Sequence, residues 1–398
     1  MPWPEPCADD YRARGYWNDE ILGSLPMSAP GARDRPAVVT ATRTLTYGEM
    51  DRAADRLAAG LRGLGLGSGD RVVVQLPNDV ELLVLCIALF RLGALPVFAY
   101  PAHRAAEIVH LVNSAEAVMY VCADEALDCD YRIIAKDVLA GAVTLRHVLV
   151  AGDPGPFAAL AEVDGDPVDL PVPDAREVAF FLLSGGTSGP PKLVPRTHAD
   201  YAYQLRQSSR LCGFRRDTRY LCALPMGHNF ALGCPGVLGT LRMGGTVVPA
   251  MAPTPELCFP LIESAGVTVT SLSPPLVSLW LDAAERTAHH LGSLELLQVG
   301  EARLSPGTAR RVSGGSAVSC SRCTAWRRAC STTRGSTTPR TSSSIRRAAP
   351  GTGRRDTGDP RGRPGGGAGR GRGTADPRPL HGARLLPGRG ERPSSVHR

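Results

Sequence analysis

Helices that end in glycine and lead directly into buried strands constrain the fold of this chain more than any other feature. Residues 49–64 place five apolar side chains on one face of a predicted helix, with charged side chains opposite. Glycines follow, and the run RVVVQL at 71–76 is typical of a buried strand. The pattern repeats as an apolar helix over 80–92, closed by Gly93, and a strand over 94–99. This alternation predicts an α/β protein whose sheets are covered by helices.

The same alternation continues as far as residue 272. Further strands are predicted over 117–122, 146–150, 178–183, 245–249 and 266–272. A helix is predicted from about 198 to 210. The segment 152–176, rich in proline, aspartate and glycine, is typical of a surface connection.

A strong change in composition divides the chain near residue 313. Residues 313–398 hold eighteen arginines and four acidic residues, a net charge of +14. Because the whole chain carries +7, the first 312 residues carry −7. Residues 313–398 also have few large apolar side chains, so they cannot bury a core of their own. We therefore predict an acidic folded body over 1–312 and a disordered basic tail, rich in arginine, glycine and proline, over 313–398.

Composition and spacing also exclude several classes of protein. No run is long enough to span a bilayer, and the first residues hold no apolar run of signal-peptide length. Eleven cysteines, scattered without regular spacing, are typical of reduced thiols. We therefore expect a cytoplasmic protein without a membrane partner. Cys320 and Cys323 have the spacing of a metal or redox pair, but no second pair follows, and no metal site is predicted.

The run LLSGGTSGPPKLVPRTH at 182–198 is the strongest functional signal in the sequence. Glycines let backbone N–H groups turn inward, hydroxyls add donors and lysine adds charge, so a loop of this composition can bind phosphate. Its spacing differs from the common nucleotide-binding loop because two prolines precede the lysine. A glycine-rich turn with a solvated lysine is the alternative. The candidate phosphate ligands are Ser184, Gly185, Gly186, Thr187, Ser188, Gly189 and Lys192.

This loop resembles the signature loop of the AMP-forming adenylating enzymes, the superfamily of acyl-CoA synthetases, peptide-synthetase adenylation domains and luciferases. Further segments are similar to the stand-alone aryl-acid adenylating enzymes of siderophore and related nonribosomal biosynthesis. These segments are YRARGYW at 11–17, residues 45–78, LFRLGALPVFAYPAHR at 89–104 and LPMGHNFALGCPGVLG at 224–239. The resemblance extends from about residue 11 to residue 312. It implies the N-terminal core of such an enzyme, with parallel and mixed sheets flanked by helices.

The resemblance implies a two-step ligation. An aryl carboxylate, salicylate-like or 2,3-dihydroxybenzoate, attacks the α-phosphate of ATP, and pyrophosphate leaves. The thiol of a carrier protein's phosphopantetheine arm then captures the aryl-AMP. By the same resemblance, residues 184–189 wrap the β- and γ-phosphates, Lys192 lies near that charge, and Mg²⁺ bridges the phosphates.

The resemblance assigns a second group of residues to the aryl-acid pocket. The group consists of His228, Asn229, Phe230 and Cys234. Asn229 is expected to hydrogen-bond the carboxylate or the ortho-hydroxyl of the substrate, and Phe230 to offer an apolar wall. Without the resemblance, the pair His228-Asn229 would be typical of a turn or of a satisfied polar pair.

Cys234 bears on the choice of aryl acid. Family members that accept 2,3-dihydroxybenzoate tend to have a serine at this position. A thiol is small and only a weak donor, so it is better suited to a ring without the second phenol. We therefore expect salicylate or a similar 2-hydroxylated acid such as 3-hydroxypicolinate. A buried structural cysteine is the alternative.

One residue departs from the family pattern within the body. The family has a glycine-glycine-alanine turn that lets the backbone approach the adenine and the aryl ring. This chain has Gly300, Glu301 and Ala302 there. We expect the glutamate to crowd or charge the pocket.

The resemblance ends near Val312. Beyond it we find no YGMAE-like motif with its Mg²⁺-holding glutamate and no lobe with the catalytic lysine, so the catalytic residues stay unassigned. Residues 357–359 spell the TGD ribose motif, but their position relative to the other motifs indicates a coincidence. We therefore predict an incomplete core that is inactive as written, because such groups act as a unit.

A shifted reading frame would explain the tail. With G/C-rich codons and the frame moved back by one nucleotide, residues 323–328 can be read as YGMAE, preceded by FGCLLQQV. Residues 366–388 can likewise be read as VGELLTRGPYTARGYYR. Both stretches resemble the family and occur in its order. The hypothesis is a frameshift near residues 312–316.

Two other functions stay open from the sequence. The chain could be an acyl-CoA synthetase of the same superfamily that uses another acid and CoA. It could also be an RNA-binding protein that works through its arginine- and glycine-rich tail. Trp326 is the only aromatic residue in that tail. Since RNA-binding tails interleave aromatic with basic residues, we do not expect a nucleic-acid partner.

Overall fold

A computed structural model describes residues 4–184, 191–313 and 322–325 of the chain. The described helices are α1 Glu5–Ala13, α2 Tyr47–Gly63, α3 Val80–Leu92, α4 Ala105–Ala115, α5 Tyr131–Gly141, α6 His198–Cys212, α7 Asn229–Gly233, α8 Gly236–Arg242, α9 Pro255–Ala265, α10 Pro274–Ala284 and α11 Pro306–Ser313. Two short 3-10 helices span Leu22–Met27 and Leu160–Glu162. No helix in these ranges is long and apolar enough to cross a membrane.

The strands alternate with the helices along the chain. They are β1 Pro36–Val39, β2 Thr44–Thr46, β3 Arg71–Gln75, β4 Leu95–Phe98, β5 Met119–Ala123, β6 Glu125–Ala126, β7 Cys129–Asp130, β8 His147–Ala151, β9 Ala158–Ala159, β10 Val178–Leu183, β11 Leu193–Thr197, β12 Arg219–Cys222, β13 Thr246–Pro249, β14 Val269–Leu272, β15 Leu296–Val299 and β16 Arg322–Ala325.

Two mixed sheets organise these strands. The first has the order β11-β10-β4-β3-β5-β8-β9, and the second has the order β16-β15-β14-β12-β13-β1-β2. All neighbours in both sheets are parallel except the antiparallel pairs β10–β11 and β1–β2. A small separate hairpin joins β6 and β7. The predicted α/β class with mixed sheets and flanking helices is confirmed.

The elements predicted from local pattern form close to their expected bounds. Helix α2 begins at a capping box, in which the Thr46 hydroxyl accepts the Glu49 N–H at 3.2 Å and the Glu49 carboxylate accepts the Thr46 N–H at 2.8 Å. Helix α3 ends at Gly93, whose φ of 71° is the left-handed conformation that glycine adopts without strain. Strands β3 and β10 and helix α6 also lie where the sequence predicts them.

One strand next to the phosphate loop was not predicted. Strand β11 lies between the loop and α6 and pairs antiparallel with β10, so that Leu183 faces Leu193. The loop therefore joins two strands of a hairpin. The sequence of β11, LVPRT, is too short and too polar to show a strand pattern, and its pairing with β10 decides the conformation.

A buried asparagine joins the two sheets close to the candidate site. Asn78, in the turn between β3 and α3, donates from Nδ2 to the carbonyls of Cys222, Leu224 and Ala250 at 2.9–3.0 Å. Its Oδ1 accepts the Met226 N–H at 2.7 Å. These carbonyls lie at or just after the carboxyl ends of β12 and β13, so one side chain fixes the carboxyl edge of the second sheet against the first. A single hydrophobic core cluster contains residues of both sheets and of α2, α3 and α8.

The structure describes most of the predicted body but only residues 313 and 322–325 of the predicted tail. Helix α11 continues to Ser313, and residues 322–325 form β16 in parallel with β15, with Leu296 opposite Arg322 and Val299 opposite Ala325. The other residues predicted as tail lie outside the described residues, and so do Cys320 and the TGD sequence at 357–359.

Candidate functional site

The predicted phosphate loop lies between β10 and β11, and the ends of these two strands are hydrogen-bonded to each other. The Ser184 N–H donates to the Lys192 carbonyl at 2.9 Å, and the Lys192 N–H donates to the Ser184 hydroxyl at 3.0 Å. Lys192 is exposed and Ser184 is half-buried. The five candidates between them, Gly185, Gly186, Thr187, Ser188 and Gly189, lie outside the described residues. The hairpin thus holds the two ends of the loop together at the sheet edge.

The neighbouring strand β4 leads to the second group of candidates. In the parallel pair β4–β10, Val97 lies opposite Phe181. Ser184 and Tyr100 each follow that pair by three residues, so both lie at the carboxyl edge of the first sheet. Ligands of open α/β sheets bind at this edge.

Tyr100 brings the first sheet against the aryl-pocket candidates. Its ring centroid lies 6.0 Å from that of His228. A Cβ atom on Gly227 would lie 2.8 Å from the Phe98 Cβ, so only glycine allows this close approach. The carboxyl edges of the two sheets therefore meet at His228. Tyr100 was not predicted as a site residue, although it directly follows the strand predicted over 94–99.

His228 and Asn229 begin the short helix α7. The His228 Nδ1 accepts the Phe230 N–H at 3.3 Å and so caps the helix. The Asn229 Oδ1 accepts the Tyr201 hydroxyl at 3.1 Å, and its Nδ2 lies 3.6 Å from the Cys234 Sγ. Helix α7 therefore gives the two side chains different contacts, because His228 caps the helix and Asn229 contacts Tyr201 and Cys234.

We call His228, Asn229, Phe230 and Cys234 together the wall. Helix α6 and strand β11 supply a polar network behind it that was not predicted from the sequence. Gln204 donates from Nε2 to the Gly233 carbonyl at 2.8 Å and lies 3.5 Å from the Cys234 Sγ. Its Oε1 accepts from Arg196 at 2.9 Å, and Arg196 also donates to Asp200 at 2.8 Å. The Arg196 guanidinium lies 4.7 Å from the centre of the Tyr201 ring. The only sequence signal was a polar residue at each helical turn of a half-buried helix.

Cys234 is enclosed by this network. Only 2% of the residue is exposed. Its carbonyl accepts the Gln298 Nε2 at 3.1 Å, and Gln298 lies buried in β15 of the second sheet. The thiol thus faces the amide groups of Asn229 and Gln204 rather than solvent.

The departing sequence Gly300-Glu301-Ala302 follows β15 and lies against the same wall. A Cβ atom on Gly300 would lie 2.7 Å from the Phe230 ring, so the turn can pack there only with glycine. Glu301 has a φ of 68°, and its Oε1 lies 3.4 Å from the His228 Nδ1. This contact places the Glu301 carboxyl group beside His228.

The electrostatics of the site follow from burial and from Glu301. Burial lowers the pKa of His228 below its usual range, and the nearby Glu301 carboxylate acts in the opposite direction. Burial, reinforced by Glu301, raises the pKa of Tyr100 to about 12. Both groups are therefore neutral near pH 7, which leaves Glu301 as the charge beside the wall.

Within residues 4–184 and 191–313, no group of three or more His, Cys, Asp or Glu side chains could hold a metal ion. A groove of about 670 Å³ lies elsewhere, lined among others by Arg56, Asp124 and Asp164. It contains none of the predicted site residues.

Comparison with known proteins agrees with this geometry. Residues 25–319 match the family described as "AMP-binding enzyme". The chain is 47% identical over 312 residues to the 2,3-dihydroxybenzoate-AMP ligase of Bacillus subtilis, with 78% of this chain and 58% of that protein covered. It is 46% identical to the salicyl-AMP ligase / salicyl-S-ArCP synthetase of Mycobacterium tuberculosis, with 78% and 57% covered.

A solved structure shows the same fold. The apo structure of MbtA from Mycobacterium smegmatis matches with a TM-score of 0.74 and 44% identity, covering 79% of this chain and 58% of that one. The chain thus spans less than two thirds of the length of these relatives. Both the fold and the sequence match confirm the predicted resemblance, and the chain belongs to the family of AMP-binding enzymes.

Proposed function

We propose that this chain is the N-terminal part of an enzyme that activates an aryl acid with ATP and releases pyrophosphate. The observation that carries the proposal is the juxtaposition of two features at the carboxyl edges of the sheets. One is the closed base of a glycine- and hydroxyl-rich loop at Ser184 and Lys192, and the other is the wall of His228, Asn229, Phe230 and Cys234. The names of the similar ligases support an aryl acid as the substrate.

The chemistry demands that two anions be held in line. A carboxylate oxygen of the aryl acid forms a bond to the α-phosphorus of ATP, and the bond from that phosphorus to the bridging oxygen of pyrophosphate breaks. Backbone N–H groups of residues 185–189 and the charge of Lys192 would stabilise the departing pyrophosphate. Mg²⁺, bound with the nucleotide, would neutralise phosphate charge.

The wall would orient the aryl acid. Asn229 is fixed by Tyr201 through its Oδ1, and only one of the two Nδ2 hydrogens can point to the Cys234 sulfur. The other can donate to the substrate carboxylate or ortho-hydroxyl. Phe230, 6% exposed and packed on Gly300, would form the apolar face for the ring.

We further propose a carrier-protein phosphopantetheine thiol as the acceptor of the aryl group. The thiolate sulfur would bond to the aryl carbonyl carbon and AMP would leave. Free CoA is the alternative acceptor. Mass analysis of the thioester formed when both acceptors are offered distinguishes the two, and exclusive aryl-CoA formation would contradict the carrier-protein assignment.

The buried thiol of Cys234 supports salicylate as the substrate. A substitution Cys234→Ser keeps the size and adds a stronger donor within reach of Asn229 and Gln204. We expect it to raise the affinity for 2,3-dihydroxybenzoate relative to salicylate by about tenfold, the effect of one hydrogen bond. Cys258→Ser is the matched control, because Cys258 is also buried but contacts the Ala252 carbonyl under the second sheet. An unchanged ratio in Cys234→Ser would contradict this role.

We also propose that residues 313–398 are read out of frame. The parallel placement of 322–325 beside β15 supports this, because the alternative frame reads as the family's next strand and YGMAE motif at those positions. Sequencing the gene across codons 305–330 tests the proposal. A nucleotide sequence whose alternative frame does not encode YGMAE near Trp326 would refute it.

The activity itself is tested by pyrophosphate exchange. The protein encoded by a gene with the frame restored should exchange labelled pyrophosphate into ATP only when salicylate or 2,3-dihydroxybenzoate is present. Lys192→Met and Asn229→Ala in that protein should both reduce exchange by at least about tenfold. Exchange that needs no aryl acid, or that prefers a fatty acid, would contradict the proposal.

A further inference from the structure

Glu301 occupies a backbone conformation that disfavours a side chain. Its φ is 68°, and the Ala302 N–H donates to the Gly300 carbonyl at 2.8 Å across it. A hydrogen bond between residues i and i+2 with positive φ at the centre is the rare and strained form of the γ-turn. Glycine would avoid the clash of Cβ with the backbone. A strained residue next to a binding site is a reason to ask what its side chain does there.

The turn is held in this place from both sides. The Gly300 N–H donates to the Leu272 carbonyl at 3.2 Å, which attaches the turn to the end of β14. Gly300 itself packs on the Phe230 ring, where a Cβ atom would lie at 2.7 Å. The backbone that carries Glu301 is therefore fixed against the wall that would receive the aryl ring.

The carboxylate of Glu301 faces the proposed pocket and is partly open to a ligand. One oxygen lies 3.4 Å from the His228 Nδ1, and 40% of the side chain is exposed. Its charge also acts on the Tyr100 hydroxyl. The His228 Nδ1 already accepts the Phe230 N–H, so neutral His228 has no proton to offer Glu301 at that atom. The carboxylate thus has acceptor capacity that its described neighbours do not fill.

We propose that Glu301 is a specificity-determining residue that accepts a hydrogen bond from an amino substituent on the ring of the aryl acid. The inference rests on the aryl-acid activation proposed above and narrows its substrate class. A ring with only C–H or methyl groups at this edge would remove water from the carboxylate without replacing its hydrogen bonds, which lowers affinity. An N–H donor restores them, and bonds to a charged acceptor are stronger than neutral ones.

The test compares matched ligands on the full 398-residue chain. Calorimetric titration gives the dissociation constants of 3-, 4- and 5-aminosalicylate and of the three methylsalicylates with the methyl group at the same positions. We expect one amino compound to bind about tenfold or more tightly than its methyl counterpart. Glu301→Gln keeps the shape and removes the charge, so the ratio should fall to a few-fold, and in Glu301→Gly it should approach one. Glu263→Gln is the matched control, because Glu263 pairs with His289 at 2.7 Å far from the site, and it should keep the full ratio.

The outcomes separate this inference from the proposed function. If the chain binds salicylates but shows no amino preference, or keeps that preference in Glu301→Gly, the role of Glu301 is wrong and the aryl pocket stands. If only Glu301→Gly binds aryl acids, the glutamate excludes the substrate and the inference is equally wrong. If no variant binds any of the six compounds while the chain binds ATP, the aryl-acid function fails, and the inference fails with it.

Discussion

The wall of the proposed aryl pocket and the base of the predicted phosphate loop are stabilised in different ways. Asn229 and Cys234 are held by Tyr201 and Gln204, which in turn belong to a buried network around Arg196. Among the described residues, two hydrogen bonds between Ser184 and Lys192 close the loop base, and the lysine is exposed. One region is fixed by side chains from distant segments, the other by backbone pairing of a hairpin.

This difference fits two tasks. Discrimination between similar aryl rings needs polar groups whose positions are set before the ligand arrives. Binding of a phosphate chain needs N–H groups and charge, which a hairpin loop can present without a buried framework. Substitutions behind the wall should therefore affect stability, and substitutions at the loop base should affect nucleotide binding.

The largest effect is expected from Arg196→Met. The substitution removes the positive charge that pairs with the buried Asp200, the hydrogen bond to the half-buried Gln204 and the contact with the Tyr201 ring. We expect the free energy of unfolding to fall by about 3–5 kcal/mol. Urea denaturation measures it. Arg176→Met is the control, because it breaks the exposed pair with Asp174 and should cost less than about 1 kcal/mol.

The next effect is a pH dependence of the free energy of unfolding. It is caused by His198, which lies at the start of α6, the helix behind the wall. His198 is 1% exposed and its Nδ1 accepts the Leu22 N–H at 3.2 Å. Burial lowers its pKa to about 4. Below pH 6.5 the unfolded chain takes up a proton that the folded chain refuses, so stability is full above that pH and is lost as the pH falls toward 4. The loss amounts to about 3 kcal/mol.

Denaturation at pH 7, 5.5 and 4.5 measures this contribution. In His198→Gln the part due to His198 should disappear, whereas the exposed His290→Gln should behave like the original chain. Equal pH dependence in all three proteins would show that His198 is not the group responsible.

Lys192→Met should leave the stability of the fold nearly unchanged and weaken the binding of ATP. Because the side chain is exposed, the free energy of unfolding should change by less than about 0.5 kcal/mol. The dissociation constant for ATP should rise by about tenfold, as expected for the loss of one charge-assisted hydrogen bond. Calorimetric titration with ATP measures it. A strongly destabilised Lys192→Met would break the contrast between the two regions.

The smallest expected effect is a gain in the stability of the fold. Glu301→Gly removes a side chain from a residue with a φ of 68°, and this relieves the backbone strain. We expect the free energy of unfolding to rise by about 1 kcal/mol. Thermal denaturation measures this change. A lower free energy of unfolding in Glu301→Gly would indicate that the contact with His228 stabilises the fold by more than the backbone strain destabilises it.

The sequence allowed the local elements to be predicted because their causes are local. The capping box at Thr46, the glycine at the end of α3 and the apolar run of β10 each depend on neighbouring residues. Phosphate binding by residues 184–192 is predicted from composition and family resemblance, and the expectation for Glu301 comes from the family resemblance alone. Both stay predictions.

The remaining features depend on contacts between distant residues. Strand β11 exists because it pairs with β10, and its own residues give no strand pattern. Gln204 and Gln298 reach Cys234 from segments 30 and 64 residues away, which no local pattern shows. The γ-turn at Glu301 could not be anticipated either, since glutamate seldom adopts a positive φ.

Titration of the 398-residue chain with a non-hydrolysable salicyl-AMP analogue, compared with AMP alone, tests the central claim most directly. If the wall formed by His228, Asn229, Phe230 and Cys234 receives the aryl ring, the analogue binds with one-to-one stoichiometry and at least about a hundredfold more tightly than AMP. Asn229→Ala then removes at least about tenfold of that difference. Equal affinities for the analogue and for AMP would contradict the account.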